Sequence, residues 1–259
     1  MTASAPLAPL SRRLRAGETI FMSWCGANDA SIAEATARED FDAALIDMQH
    51  GIVDFSTTVQ AIALVGLAGK PAIARIPVGD FATASRLLDA GAAAIVAPMI
   101  NSEADAKNFA SFAKFPPVGE RSWGPHRAFA LAGLDGEAYF RQANDLQLAI
   151  AMIETREALD ALDSILDVPG IDGVFVGPSD LSIALTKGAV VDAGHPEVDK
   201  ALDHIAARCK AKGKVAGAFC MTGKRAKEVA AKGFRLCSIS TDGMMMRLGA
   251  RLELKAARS

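Results

Sequence analysis

The chain alternates short, β-rich apolar segments with longer, alanine-rich segments of helical character along its 259 residues. We predict eight strands: Ile20–Trp24, Ala44–Met48, Ala72–Ile76, Ala94–Pro98, Leu148–Ile153, Gly173–Val176, Val215–Phe219 and Leu236–Ile239. Buried strands that alternate with helices form a parallel sheet. Eight such units in about 250 residues favour a closed (β/α)8 barrel, the TIM barrel. An open doubly wound sheet is the alternative, but no glycine-rich phosphate-binding turn follows the first strand.

The sequence contains no segment typical of an interdomain linker, so we expect a single domain over residues 1–259, with residues 1–13 as a flexible tail. Predicted helices are Ser56–Ala68, Phe81–Ala90, Ser102–Lys114, Arg156–Leu166, Pro196–Lys212, Gly223–Lys232 and a C-terminal helix over Asp242–Ala257. Two stretches, Phe115–Asn144 and Ile183–His195, interrupt the alternation. Long loops in compact domains are usually functional or disordered, which draws attention to both.

Composition excludes several classes of function. The formal net charge is −2, without the basic stripe that nucleic-acid binding requires. The longest strongly apolar run, Ala90–Ile100, is too short to span a bilayer, and the N-terminus lacks the apolar core of a signal peptide. The four cysteines show no CxxC spacing, which favours reduced thiols. We therefore expect a cytoplasmic protein that binds neither nucleic acid nor membrane.

Polar and aromatic side chains stand at the carboxyl ends of the predicted strands, where a barrel of this kind carries its chemistry. In chain order the candidates are Trp24, Asp47, Gln49, His50, Arg75, Glu154, Gly177, Pro178, Ser179, Asp180 and Phe219. Four of them, His50, Arg75, Glu154 and Asp180, thus converge on one rim from four different strands. The convergence indicates a functional site more strongly than any single member does.

Three of the candidates also have a specific structural interpretation. Asp180 precedes an apolar helical segment and suits an N-cap, and Arg75 suits a structural ion pair. His50 suits a turn between a strand and the next helix. Glu154 differs, because Thr155 is already a good N-cap, and a carboxylate that ends an apolar strand needs a partner, a metal or water.

Glu154 and Asp180 offer hard oxygen ligands from adjacent strands. Two carboxylates are too few for a closed structural site, but they suit Mg²⁺ or Mn²⁺ with open positions for water and substrate. No His/Cys cluster indicates a closed zinc site. An open divalent site beside Arg75 suits a small anionic chelator, such as a 2-oxo acid.

Seven segments of the chain resemble the HpcH/HpaI aldolase family: LIDMQHG, ARIP, RLLDAGAAAIVAPMI, FPPVGERSWG, IETREAL, GIDGVFVGPSDLS and HPEV. The resemblance extends in order from about Leu14 to Leu248. It implies a (β/α)8 barrel, in agreement with the strand pattern, and a class II pyruvate aldolase that depends on Mg²⁺, Mn²⁺ or Co²⁺. It also implies a homo-oligomer, a hexamer built as a trimer of dimers, in which the C-terminal helix is swapped between subunits.

The resemblance assigns the chemical roles. Glu154 and Asp180 match the metal ligands. Arg75 matches the arginine that holds the pyruvyl oxygen and stabilises the enolate. His50 matches the acid–base histidine, with Asp47 as its nearby acid.

Supporting roles follow in the same way. Asp89 matches an aspartate that supports the site, from a neighbouring subunit. Backbone amides around Gly177–Ser179 match the binder of the pyruvate carboxylate, and Arg121 matches a loop arginine near the site. Gln49 departs from the family, since many relatives carry an acid there. The change keeps a hydrogen-bonding oxygen that can orient a metal-bound water, but it removes a charge and puts the preferred metal in question.

The expected reaction is reversible cleavage of a 4-hydroxy-2-oxo acid to an aldehyde and pyruvate, or a hydroxypyruvate-like donor, through a metal-stabilised enolate. Either a metal-bound water or His50 removes the C3 proton, and His50 handles the proton of the 4-hydroxyl. Trp24, Phe219 and the Phe115–Asn144 stretch are expected to set specificity for small aldehydes. Alternatives are a CoA-ester lyase of the citrate lyase β-subunit kind, an oxaloacetate decarboxylase, or a non-catalytic 2-oxo acid binder.

Overall fold

The computed structural model describes residues 7–125 and 127–259, and its eight parallel strands close into one barrel in the order β1 to β8. The strands are β1 (Ile20–Cys25), β2 (Ala43–Asp47), β3 (Ala72–Arg75), β4 (Ala94–Ala97), β5 (Leu148–Ile153), β6 (Gly173–Val176), β7 (Val215–Ala218) and β8 (Leu236–Ser238). The predicted (β/α)8 barrel is therefore confirmed. Every strand boundary lies within one residue of its predicted position.

Helices connect the strands on the outside of the barrel. They are α1 (Leu7–Arg15), α2 (Ala30–Ala37), α3 (Phe55–Leu67), α4 (Phe81–Ala90), α5 (Glu103–Ala113), α6 (Ala128–Ala132), α7 (Gly136–Leu146), α8 (Arg156–Asp160), α9 (Leu162–Asp167), α10 (Pro178–Leu185), α11 (Pro196–Lys212), α12 (Gly223–Ala231) and α13 (Asp242–Arg258). The helix predicted over Arg156–Leu166 is two helices, α8 and α9, which meet at Ala161. No helix among the described residues is both long enough and apolar enough to cross a bilayer.

The predicted flexible tail over residues 1–13 is wrong from Leu7 onwards. Helix α1 begins there, and it buries Leu10 and Leu14 in the cluster that fills the barrel interior. Arg13 pairs with Glu18 and Asp42 and so ties the helix to the barrel. Residues 1–6 lie outside the described part of the chain.

Side chains alternate between the inside and the outside of the barrel along each strand, as the two-residue period of β-structure requires. Inner positions such as Leu45, Ile73, Ile150 and Phe175 form one buried cluster, and the intervening positions pack against the helices in a second. The same alternation continues to the carboxyl ends of the strands. It therefore directs the last side chains of β2 and β3, and the side chain directly after β5, into the mouth of the barrel.

Candidate active site

A cavity of about 240 Å³ opens at the carboxyl end of the barrel. Ten of the predicted site residues line it: Trp24, Asp47, His50, Arg75, Glu154, Gly177, Pro178, Ser179, Asp180 and Phe219. Gln49, Asp89 and Arg121 are not part of this lining. The structure therefore brings together most of the candidates chosen from the strand ends.

Asp47 is the hydrogen-bonding centre of one wall. Its carboxylate accepts two bonds from the Arg75 guanidinium, at 2.8 and 2.6 Å, and one from the Trp24 indole at 3.0 Å. Burial alone would raise the pKa of Asp47, but the hydrogen bonds and the charge of Arg75 outweigh it and lower the pKa below its ordinary value. Asp47 therefore remains an anion that orients Arg75.

The predicted role of Asp47 as the acid beside His50 is met only through the backbone. Asp47 Oδ1 accepts the backbone N–H groups of Gln49 at 3.0 Å and His50 at 3.3 Å, which closes the turn after β2. These bonds hold the turn, while the imidazole of His50 faces the cavity. Asp47 is thus a positioning residue for both Arg75 and the His50 turn.

Glu154 follows β5 and is buried, with 2% of its surface exposed. Its Oε2 accepts the backbone N–H of Met99 at 3.1 Å, and a Cβ on Gly177 would lie only 2.4 Å from Oε1. Burial raises the pKa of Glu154 to about 7, and the neighbouring charge of Asp180 adds to the rise. The charge of Arg75 lowers the pKa, but by less than burial raises it.

Helix α10 presents a free N-terminus to the cavity. The helices that directly follow the other seven strands each begin after an Asp, Ser or Thr whose side chain accepts a first-turn N–H. At α10 the N-cap is Gly177, which has no side chain to do so, and Asp180 lies inside the first turn. The N-cap interpretation of Asp180 is therefore wrong. Free first-turn amides bind carboxylates, although Pro178 itself has no N–H to donate.

Aromatic side chains complete the wall beside Arg75. The Trp24 ring contacts Phe175 at a centroid distance of 5.7 Å and Phe219 edge-on at 5.0 Å. The Arg75 guanidinium lies 4.8 Å from the centroid of the Trp24 ring. Trp24 and Phe219 thus form a rigid apolar side to an otherwise polar cavity.

A sequence profile described as HpcH/HpaI aldolase/citrate lyase matches residues 20–248. The chain belongs to this family. The hydroxypyruvate/pyruvate aldolase of Rhizorhabdus wittichii is 40% identical over 243 residues, which covers 94% of this chain and 96% of that protein. The 2-keto-3-deoxy-L-rhamnonate aldolase of Escherichia coli (strain K12) is 36% identical over 240 residues, 92% of this chain and 88% of that protein.

Solved structures give the same family. An HpcH/HpaI aldolase/citrate lyase family protein from Burkholderia cenocepacia superposes with a TM-score of 0.87 at 30% identity, covering 97% of this chain and all of that one. Since the similar named members of this family are aldolases, the predicted carbon–carbon lyase of the aldehyde-lyase class is confirmed.

The HpcH/HpaI resemblance implies a divalent metal, and Glu154 and Asp180 fit one. Asp180 is exposed at the cavity and its charge acts on the buried Glu154, so a bound cation would compensate both negative charges and lower the Glu154 pKa. Among the described residues no group of three or more His, Cys, Asp or Glu side chains is arranged to hold a metal. These two carboxylates would therefore hold a hard cation in an open site.

Two residues predicted from the family's motifs, Arg121 and Asp89, lie away from this cavity. Arg121 is buried, donates to Asp89 Oδ1 at 2.6 Å and to Gln147 at 2.8 Å, and lies over the Phe115 ring. Gln147 directly precedes β5, so this network is at the amino end of the barrel. Arg121 therefore does not stand near the cavity of its own chain, because its buried partners hold it at the opposite end.

A larger cavity, of about 860 Å³, also opens at the amino end. Its lining includes Lys210 and Lys212 in the last turn of α11, where cations stabilise the partial negative charge of a helix C-terminus. None of the predicted site residues lines it. The smaller cavity at the carboxyl end is therefore the candidate active site.

Three cavity features were missing from the predicted set. Met152 and Thr241 line the cavity, and Met99 supplies the N–H that binds Glu154 from a left-handed backbone with φ of 55°. The period-two alternation that leads to Glu154 places Met152 on the same inner face. The position of Met99 leaves no signal in the sequence, because a methionine rarely adopts that conformation.

Proposed function

We propose that the protein catalyses the reversible cleavage of 4-hydroxy-2-oxo acids to an aldehyde and pyruvate, or a hydroxypyruvate-like donor. The observation that carries the proposal is the juxtaposition, in one cavity, of the Glu154 and Asp180 carboxylates with the Arg75 guanidinium. The named activities of the relatives from Rhizorhabdus wittichii and Escherichia coli support it.

Donor binding follows from the charges in the cavity. The substrate carboxylate lies at the N-terminus of α10, where the amides of Ser179 and Asp180 are not used by the helix. The 2-oxo oxygen faces Arg75, which Asp47 holds in a fixed orientation through two hydrogen bonds. Such preorganised donors stabilise the charge that appears when a ketone becomes an enolate.

Glu154 and Asp180 would hold the divalent metal, Mg²⁺, Mn²⁺ or Co²⁺. When bound, it supplies Lewis-acid polarisation of the 2-oxo group and so acidifies C3. Gly177 leaves the space that Glu154 needs for this role, since any larger residue would contact Oε1. The buried oxygen of Gln49, Oε1, has no hydrogen-bond partner among the described residues, so a polar group bound nearby would satisfy it.

His50 moves the proton that aldol cleavage requires. In the cleavage direction the C3–C4 bond breaks, its electron pair enters the enolate, and the 4-hydroxyl proton passes to the imidazole. A neutral imidazole has one ring nitrogen that accepts a proton and one that donates, so it serves as base in this direction and, once protonated, as acid in the reverse one. The exposed position of His50 at the cavity mouth leaves room for the aldehyde half of the substrate.

The size of the cavity favours small acceptors. A volume of about 240 Å³ is below the range typical of drug-sized ligands. The Trp24 and Phe219 rings contact each other and cannot separate without loss of packing. We therefore expect short aldehydes, including hydroxylated ones.

The test compares two reactions of the same enolate. His50→Ala should lower aldol cleavage at least about 10²-fold, yet leave oxaloacetate decarboxylation close to the parental rate, because loss of CO₂ involves no 4-hydroxyl proton. Glu154→Gln combined with Asp180→Asn should abolish stimulation of both reactions by Mg²⁺ or Mn²⁺. Parental cleavage by the first variant, or undiminished stimulation of the second, would refute the proposal.

We also propose that the protein is a homo-oligomer in which α13 packs on a second copy. Only Asp242 of this helix is buried, and four of its large apolar side chains are more than half exposed: Met246, Leu248, Leu252 and Leu254. Groups of exposed large apolar side chains mark protein interfaces. The hexameric state, and a contribution of Asp89 to a neighbouring subunit's site, remain predictions from the family resemblance. The cytoplasmic location remains a prediction from the sequence composition.

A further inference from the structure

Asp242, the first residue of α13, is buried with 8% of its surface exposed. Its Oδ2 accepts two backbone N–H groups, from Gly26 and Ala27, each at 2.9 Å, and its Oδ1 accepts the N–H of Gly243 at 2.7 Å. Helix α13 follows the last strand, whereas Gly26 and Ala27 follow the first. The carboxylate therefore fastens the turn after β1 to the C-terminal helix.

The turn after β1 in turn supports the segment that carries His50. The backbone N–H of Ile52 donates to the carbonyl oxygen of Gly26 at 3.0 Å. Gly51 lies so close that a Cβ there would be 2.9 Å from both Cα and O of Gly26, and 2.2 Å from the carbonyl oxygen of Asp47. The position of Gly26 thus determines where the Gly51–Ile52 backbone can lie, and His50 is the next residue.

We infer that Asp242 is a positioning residue for His50, acting through the backbone of Gly26. The inference rests on the proposed role of His50 in aldol cleavage. The His50 turn has two supports, Asp47 on the side of β2 and Gly26 on the side of β1. Asp47 is itself held by Arg75 and Trp24, while Gly26 is held by the carboxylate at the start of α13.

This arrangement couples the C-terminal helix to the acid–base step. A helix that is displaced at its first turn releases Gly26 and Ala27, and the His50 turn then loses one of its two supports. The enolate part of the site does not depend on this connection, because Arg75 and Glu154 are held by Asp47 and Met99. Loss of Asp242 should therefore impair aldol cleavage selectively.

The experiment uses Asp242→Ala in the full-length, metal-loaded protein, with aldol cleavage and oxaloacetate decarboxylation measured side by side. Decarboxylation breaks C3–C4 with release of CO₂ and leaves the electron pair in the same enolate, which solvent protonates at C3. We expect kcat for cleavage to fall at least tenfold while decarboxylation stays within twofold. Equal loss of both reactions would mean a merely structural role, and no loss of either would mean no role; each overturns the inference.

Two further variants sharpen the comparison. Asp29→Ala removes a carboxylate from the segment between β1 and α2, which also contains Gly26 and Ala27. Asp29 is exposed and caps α2 through Ser31, so this variant should keep the parental rates. Asp242→Asn retains an acceptor oxygen for the two amides and should stay within threefold of the parent. A loss as large as that of Asp242→Ala would assign the effect to charge rather than to amide anchoring, and would contradict the inference.

A measurement without turnover separates this inference from the proposed function. In metal-free protein, amide hydrogen exchange at Ile52 should be at least tenfold faster in Asp242→Ala than in the parent, and unchanged in Asp29→Ala. Unchanged exchange in Asp242→Ala would overturn the positioning role even if the protein is an aldolase. Faster exchange would support it even if the parent cleaves no 4-hydroxy-2-oxo acid.

Discussion

The buried carboxyl group of Glu154 should destabilise the metal-free protein at neutral and alkaline pH. Its pKa lies at about 7, against an ordinary value of 4.5. The folded protein therefore binds more protons than the unfolded chain between these values, and its stability falls as the pH rises through that window. At about 1.4 kcal/mol for each pH unit, the full destabilisation is about 3 kcal/mol and is reached above pH 7.

Glu154→Gln removes the charge and keeps an oxygen that can accept the N–H of Met99. In EDTA, the free energy of unfolding of the variant should exceed that of the parent by about 3 kcal/mol at pH 8 and by about 1 kcal/mol at pH 5. Urea denaturation at both pH values measures the difference. Glu39→Gln, the same change at an exposed position, should alter the free energy by less than about 0.5 kcal/mol.

Bound metal should make the parent more stable than Glu154→Gln. Saturating Mn²⁺ stabilises the parent by mass action, because the unfolded chain has no assembled site, while the variant has lost one ligand and gains little. A difference between variant and parent that does not change with pH would refute the electrostatic reasoning. A variant stabilised by Mn²⁺ as much as the parent would refute the assignment of Glu154 as a ligand.

Three further outcomes are expected. Gly177→Ala places a Cβ 2.4 Å from Glu154 Oε1 and should weaken Mn²⁺ binding at least about tenfold in calorimetry, whereas Gly223→Ala, which has open space, should not; equal affinities would contradict the packing argument. Arg75→Lys loses the two-bond contact with its carboxylate and should lower kcat for aldol cleavage about 10²-fold, so a parental kcat argues against its role. Leu252→Asp, at an exposed apolar position of α13, should reduce the sedimentation mass to that of a smaller assembly, and a parent that already sediments as a monomer would refute the interface.

The barrel could be predicted because each of its units carries a local signal. The apolar run Leu148–Ile153 and the helix Pro196–Lys212, with its proline at the start and Gly213 at its end, are found where the sequence indicates them. Helix α1 escaped prediction, since it is rich in arginine and its apolar residues number too few to stand out. Its helical state depends on Leu10 and Leu14 packing over the barrel interior, which is a tertiary contact.

The sequence predicted most of the residues that line the candidate site, but it predicted the roles of those residues only in part. The ends of the strands identify Glu154 and Arg75, because inner side chains at the carboxyl ends of parallel barrel strands face a common opening. Whether Asp47 serves His50 or Arg75 depends on distances across neighbouring strands, and it is Arg75 that lies within 2.6 Å. Arg121 was expected near the site because of its motif. The motif gives no information about which end of the barrel its loop covers, and in the structure Arg121 binds Asp89 and Gln147 at the amino end.

The central claim is that this cavity turns a 2-oxo acid into its enolate with the help of a divalent metal. Exchange of the C3 protons of pyruvate for deuterium, followed by NMR on EDTA-treated protein with and without Mn²⁺, Mg²⁺ or Co²⁺, tests it without knowledge of the aldehyde. We predict exchange that requires both protein and metal and that is lost when Glu154 and Asp180 are replaced by Gln and Asn. Absence of exchange with every metal, for both pyruvate and hydroxypyruvate, would contradict the account.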